Sequence, residues 1–377
     1  MGAVISDPWL EWAEHRPRPR VLHLDSAAAG RQSVATLDAT AAQARLEAEV
    51  GAYVAQEQVG EVLAQLRRDV AGLLGTPPDG VAFVESATAA LAALFASWPL
   101  PHEPRVGVVA VEWGPNLEAF AARGFTIVDL PHDGTGRLDL GALEQQLADD
   151  PPTVVHLTQV TSHRGLVQPV AEAAALCRVA GIPLWVDAAQ AIGHVDTATG
   201  ADAVYATSRK WLAGPRGVGM VAIAAQHWDA LRIRRSTLSP ADLPAVAHLE
   251  SHEAHVAGRI GLATAVREYL ALGSDVVNAR LDEVGRLTAK ALADIEGWEV
   301  VGGSTPGNGA ITALRPTAGQ DVFATRTRLL TEHGILTTAG SVARAPRDMQ
   351  EPLLRISPHV DCTDEALARL VEALADR

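Results

Sequence analysis

The chain of 377 residues is 48% apolar and carries 31 basic against 45 acidic side chains, a net charge of −14. With no basic run beyond Arg16-Pro-Arg-Pro-Arg20, that balance argues against a nucleic-acid partner, and Cys177 and Cys362, far apart and without metal-ligand spacing, support neither a disulfide framework nor a metal site. The first twenty residues are acidic, aromatic and proline-broken rather than a signal peptide, and no apolar stretch approaches the ~20 residues of a membrane span, so a soluble, cytoplasmic protein of two domains is expected.

In chain order, residues 1–22 read as an N-terminal arm packing with a smaller C-terminal domain. A large domain is expected over 23–255. After the strand-like Val81-Ala-Phe-Val84, Ser86-Ala87-Thr88 precedes an alanine-rich helix. Small and hydroxyl residues there would set backbone N–H groups against an anion, although an ordinary Ser/Thr cap looks the same. The strand-like run 106–111 leads into Glu112-Trp-Gly-Pro-Asn116, where Trp113 would either lie flat on a bound ring or simply pack. A helix over 116–123, a strand over 126–130, a helix over 139–148 and a strand over 153–157 follow. Next come the polar Thr161-Ser-His-Arg-Gly165 and a helix over 170–180, closed by Gly181 and Pro183. In that polar segment Ser162, His163 and Arg164 would face a ligand or merely form a loop.

The strand-like Leu184-Trp-Val-Asp187 runs into Ala-Ala-Gln190, and the strand-like 203–206 into Thr207-Ser-Arg-Lys-Trp211. A last strand of the large domain is expected over 219–223. From 256 to 377 the pattern changes to a smaller α+β domain. Helices over 261–272 and 278–297, strands over 298–301 and 310–314, a helix over 322–333, a strand over 353–357 and a final helix over 363–374 are expected there. Strand-helix-strand repetition in the large domain predicts an α/β fold with a mainly parallel sheet flanked by helices. Ligands of such sheets bind at the carboxyl ends of the strands, where Thr158, Asp187 and Lys210 would lie.

Lys210 follows Asp187 by 23 residues. That pair suits pyridoxal 5'-phosphate, which needs a lysine to hold it covalently and an acid to keep its ring nitrogen protonated. A solvated lysine and a helix-capping aspartate are the plain alternatives. Gln190 would donate to the coenzyme's phenolic oxygen, and Thr207 and Arg209 would bind its phosphate. Arg355, in Leu353-Leu-Arg-Ile-Ser357, would clamp a substrate carboxylate bidentately or pair with a structural acid.

With these residues in view, the chain resembles the fold-type I, aminotransferase class V group of pyridoxal phosphate enzymes. His23-Leu-Asp-Ser-Ala-Ala-Ala29 looks like the group's opening segment, and Ser86-Ala87-Thr88 like its phosphate-binding turn. Trp113 stands where the group stacks a histidine on the ring. The resemblance implies a coenzyme set of Ser86, Ala87, Thr88, Trp113, Ser162, Asp187, Gln190, Thr207, Arg209 and Lys210, with Lys210, Asp187 and Arg355 catalytic. It departs from the cysteine desulfurases of the group. Their catalytic cysteine rides on a loop corresponding to Thr338-Ala-Gly-Ser-Val-Ala-Arg344, which has none.

His23-Leu-Asp-Ser-Ala-Ala-Ala-Gly-Arg31, Thr161-Ser-His-Arg-Gly165 and Leu249-Glu-Ser-His-Glu253 resemble most the ergothioneine-biosynthesis lyases. That resemblance implies cleavage of hercynylcysteine sulfoxide to ergothioneine, pyruvate and ammonia, a thiol reductant acting on the released sulfenic acid. It also implies a homodimer. Ala28, Tyr53, His163, Arg164, Glu253 and Arg355 are the candidate substrate contacts. Another class V β-lyase, a kynureninase-like hydrolase and an aminotransferase share most of the coenzyme residues.

Overall fold

The computed structural model describes residues 7–234, 243–302 and 309–376. It opens with helix α1 (Pro8–Glu14) and the short strand β1 (Leu22–His23), followed by α2 (Val34–Val50), α3 (Ala52–Gln58) and α4 (Gly60–Leu74). Then come β2 (Val81–Val84), α5 (Ala87–Ser97), β3 (Arg105–Val108), α6 (Gly114–Ala122), β4 (Thr126–Asp129) and α7 (Leu140–Asp149). The large sheet is completed by β5 (Val154–Thr158), β6 (Leu184–Asp187), β7 (Ala203–Thr207) and β8 (Gly219–Ile223), with α8 (Val170–Ala180) before β6.

The seven strands lie in the order β2-β8-β7-β6-β5-β3-β4. Only β8 runs against its neighbours β2 and β7; the remaining pairs are parallel. Strands β5, β6, β7 and β8 are buried along their whole length, as expected when helices cover both faces. Alternate residues serve opposite layers. Val155, Leu157 and Val186 pack with Ala173 and Cys177 of α8, whereas Val154, Trp185 and Tyr205 pack with Leu94 and Phe120.

After α9 (Val256–Leu272) and α10 (Ser274–Leu292), a second sheet forms from β9 (Trp298–Val301), β10 (Thr312–Pro316), β12 (Thr338–Gly340) and β13 (Leu353–Ile356). Its order is β12-β13-β10-β9, all antiparallel. Helix α11 (Val322–Thr331), the short β11 (Ile335–Leu336) and α12 (Asp364–Ala375) complete it. The N-terminal segment is stitched to this unit: β1 pairs with β11, Asp25 bridges Ser357, and Trp12 stacks on His359 at 4.4 Å.

Helices α2, α3 and α4 have no counterpart in the sequence reading, and α9 and α10 differ from it. Helix α9, counted there with the smaller domain, buries Leu262, Ala263, Val266 and Tyr269 in the core beneath the large sheet and packs on α2 and α4. Close approach explains it: a Cβ at Gly261 would lie 2.6 Å from Pro215. Helix α10 stops at Leu292 instead of continuing to residue 297. Among the described residues no helix is long and apolar enough to cross a membrane.

Candidate active site

Thr158, Asp187 and Thr207 end the neighbouring strands β5, β6 and β7, and Lys210 sits in the turn after β7. They converge at the carboxyl edge of the parallel strands. There a cavity of about 360 Å³ is lined also by Ala28, Ser86, Ala87, Thr88, Trp113, Ser162, Gln190, Arg209 and Arg355. Ala27, Ala189, Thr338 and Arg344 line it too and were not singled out in the sequence. The last two lie in a stretch weighed only for its lack of cysteine. The arginine that closes that stretch, Arg344, was the available signal.

The turn carrying Lys210 is knotted by its own backbone. Ala213 N–H donates to Lys210 O and Gly214 N–H to Ser208 O, both at 3.0 Å, and the Ser208 hydroxyl bonds Pro215 O. Ala213 has φ 51°, the one left-handed non-glycine among the described residues, a strained conformation that the tight turn imposes. Lys210 is half-buried and lines the cavity. Burial pushes its pKa down to about 7; Asp187 opposes this, while Arg209, Arg355 and Arg344 reinforce it. The chain has only one other lysine, Lys290, exposed in the last turn of α10.

Asp187 is 5% exposed, and burial raises its pKa despite the attraction of Lys210. Its Oδ1 accepts from Ala189 N at 2.8 Å and its Oδ2 from Asn116 Nδ2 at 2.9 Å. Behind it lies a wholly buried polar chain. Glu112 accepts from Asn116 at 2.9 Å and Thr158 Oγ1 at 2.6 Å, and pairs with His156 at 3.1 Å, whose other ring nitrogen meets Tyr205 OH at 2.9 Å. Gln190 accepts from Trp211 Nε1 at 3.0 Å and donates to Ala27 O at 2.8 Å, which leaves one amide N–H for a ligand.

Arg355, which the sequence left between a clamp and a structural ion pair, has features of both. Its Nη2 meets Asp25 at 3.0 Å and its Nη1 donates to Ser162 O at 2.8 Å, yet its buried Nε has no partner. An unsatisfied buried donor at a cavity wall is costly unless a ligand accepts from it.

Four predicted contacts are not brought to the cavity. Tyr53 is 72% exposed on α3, and Glu253 is exposed before α9. His163 Nε2 and Arg164 Nε instead bond Asp348 at 2.7 and 2.9 Å, which ties their turn to the loop after β12. The sequence left them between a ligand contact and a polar loop; in the single chain they hold Asp348.

The aminotransferase class-V family model matches residues 22–370. The chain belongs to that family. It is 46% identical over 366 residues to the "probable hercynylcysteine sulfoxide lyase" of Mycobacterium tuberculosis (strain CDC 1551 / Oshkosh), covering 96% of this chain and 92% of that protein. It is 27% identical over 401 residues to isopenicillin N epimerase of Amycolatopsis lactamdurans, covering 97% and 98%. A cysteine desulfurase structure from Escherichia coli matches at a TM-score of 0.83 with 20% identity, covering 98% of each chain. The architecture of this family member is therefore fold-type I, a mixed sheet flanked by helices with a smaller C-terminal α+β unit.

The cavity suits the coenzyme that this fold serves. The amides of Ala87 and Thr88 open α5 without intrahelical partners, beside Thr207 and Arg209, which provides for a phosphate. A Cβ at Gly219 would lie 2.7 Å from Ser86 Cα, so bare backbone lets this turn reach the cavity. Asp187 provides for a ring nitrogen, and the buried Ser162 hydroxyl, without a partner, offers a further bond.

Proposed function

We propose that this family member is a pyridoxal phosphate-dependent carbon-sulfur lyase that cleaves hercynylcysteine sulfoxide. The products are pyruvate, ammonia and a sulfenic acid, which a thiol reduces to ergothioneine. The observation that carries the reading is a cavity that unites Lys210, Asp187 and Arg355 without a thiol. Cys177 is buried in α8 and Cys362 precedes α12, and burial pushes both thiols up to about 12, far from the nucleophile that a desulfurase needs. Full-length similarity to the mycobacterial protein of that name supports the choice of substrate.

Bound in the cavity, the coenzyme supplies a carbonyl for the substrate amine and a protonated ring that draws electrons from the α-carbon. Lys210, whose pKa burial lowers to about 7, takes the α-proton at its Nζ in its neutral form. Asp187, pinned by Asn116 and Ala189, holds a proton at the ring nitrogen. Arg355 orients the substrate through its carboxylate, fixed in turn by Asp25 and Ser162 O. When the β-carbon–sulfur bond breaks, a sulfenate leaves more readily than a thiolate, so no protein cysteine is required.

A homodimer is part of the proposal. Val50, Tyr53 and Val54 present an exposed apolar face around α3, which a second copy would cover. The reaction is tested by incubating coenzyme-loaded protein with the sulfoxide and a thiol and quantifying ergothioneine and pyruvate, with L-cysteine as control. Equal amounts of both, with little turnover of cysteine, support the proposal. No ergothioneine from verified holoenzyme sinks it.

A further inference from the structure

The cavity holds one cation more than the proposed reaction uses. Arg344 ends the 3-10 turn Val342–Arg344 after β12 and lines the cavity together with Thr338 and Arg355. Among the described residues its guanidinium makes no hydrogen bond and no ion pair; Asp25 is the carboxylate that acts on it, from a distance. That carboxylate is already committed to Arg355 at 3.0 Å and to the Thr338 hydroxyl at 2.6 Å. Burial, with the neighbouring Arg355, pushes the Arg344 pKa down to about 10.

The segment is built to hold this side chain in place. A Cβ at Gly340 would stand 3.0 Å from Arg344 Nε, so the strand end is left bare where the guanidinium folds over it. Ala343 O lies against Gly114, where any Cβ would collide with it, and Asp348 anchors the following turn to His163 and Arg164. Arg344 shares the cavity wall with Lys210, Thr338 and Arg355. A positioned guanidinium with no hydrogen-bonded or ion-paired partner is a receptor for a carboxylate.

We propose that Arg344 binds a second substrate carboxylate, distal to the reacting carbon, so that the enzyme selects amino acids that carry a carboxylate at both ends. The inference rests on the proposed function, in which Arg355 takes the α-carboxylate. In hercynylcysteine sulfoxide the distal group is the betaine carboxylate.

The test compares wild type, R344Q, R344K and R355Q as holoenzymes with matching coenzyme absorbance. Two sulfoxides are used: hercynylcysteine sulfoxide, and S-methyl-L-cysteine sulfoxide, which keeps the reacting centre but lacks the distal carboxylate. Calorimetry follows hercynine, the trimethylated histidine betaine without the cysteine. R344Q is expected to lower the ratio of kcat/KM for the first sulfoxide over the second by about 10- to 100-fold, mainly through KM, with partial recovery in R344K. Hercynine binding is expected to weaken by a similar factor in R344Q and to persist in R355Q. An unchanged ratio, or hercynine binding that depends on Arg355 and not on Arg344, overturns the proposal. Wild-type holoenzyme that yields no ergothioneine would sink the reaction proposed above, whereas Arg344-dependent hercynine binding would still uphold the second carboxylate site.

Discussion

Asn116 donates to Asp187 Oδ2 and to Glu112 Oε1, each at 2.9 Å, so one side-chain amide ties the acid of the cavity to a second, wholly buried carboxylate. Burial opposes ionisation of Glu112, yet the charge of His156 and the bonds from His156, Thr158 and Asn116 hold its pKa below the usual carboxylate value. The bonds that Glu112 makes with Asn116, Thr158 and His156 offset the cost of burying its carboxylate.

Asn116→Ala removes both bonds without touching the cavity's other donors. Leaving buried acceptors unmet costs about 1–3 kcal/mol. The variant should therefore melt at lower temperature and bind coenzyme more weakly, as read by calorimetry and coenzyme titration. Wild-type coenzyme affinity in Asn116→Ala would show that the tether does not position Asp187.

Lys210 and Lys290 are the chain's only lysines, which makes covalent attachment simple to locate. Borohydride reduction of the coenzyme-loaded protein should add the coenzyme's mass to the peptide of Lys210 alone. Lys210→Ala should lose the label and all turnover, and Lys290→Ala should keep both. A label on Lys290, or turnover without Lys210, contradicts the assignment.

The lowered pKa of Lys210 has a readable pH dependence. Covalent capture of coenzyme by coenzyme-free protein needs the neutral amine, so its rate should rise with pH and level off above about 7 rather than near the ordinary lysine value of 10.5. In that interval the unfolded chain binds a proton that the folded chain does not. Stability of the coenzyme-free form should accordingly increase as pH rises through the same range. A capture rate still climbing at pH 9 would contradict a buried, depressed amine.

Arg355→Lys keeps the charge but cannot hold Asp25, Ser162 O and a carboxylate together. Its kcat/KM should fall about 100-fold, the size expected for loss of a buried charge-assisted clamp worth about 3 kcal/mol. Much of the fall should appear in KM. A variant within threefold of wild type would make the arginine a structural ion-pair partner only.

Glu250 is structural, although its segment resembled a functional loop. It pairs with Arg67 and Arg259 at 2.6 Å each and accepts from Phe83 N at 3.1 Å. Glu250→Ala leaves two part-buried guanidinium groups facing one ring. Thermal unfolding should show a loss of about 3 kcal/mol, with KM nearly unchanged.

Strands and helices around the site were legible wherever local pattern and burial agree. The runs at 81–84, 184–187 and 219–223 match the strands residue for residue, because each is a short apolar stretch bounded by turn residues. Helix α2 was missed for the opposite reason: its buried positions include Thr36 and Gln43, polar residues that hide the helical period. Tyr53 and Glu253 lie exposed outside the cavity of the single chain, because exposure is decided by neighbours that periodicity does not reveal.

By itself the sequence determined the strand-end chemistry: Asp187, Thr207 and Lys210 fall at the carboxyl edge because strand, turn and residue type are all local. The partners that tune this chemistry were decided by tertiary structure alone. Asn116 reaches Asp187 across 71 residues, and Asp25 reaches Arg355 across 330. No spacing rule spans such separations; packing of the N-terminal segment against the second sheet brings Asp25 onto Thr338 and Arg355, which line the cavity together with Arg344.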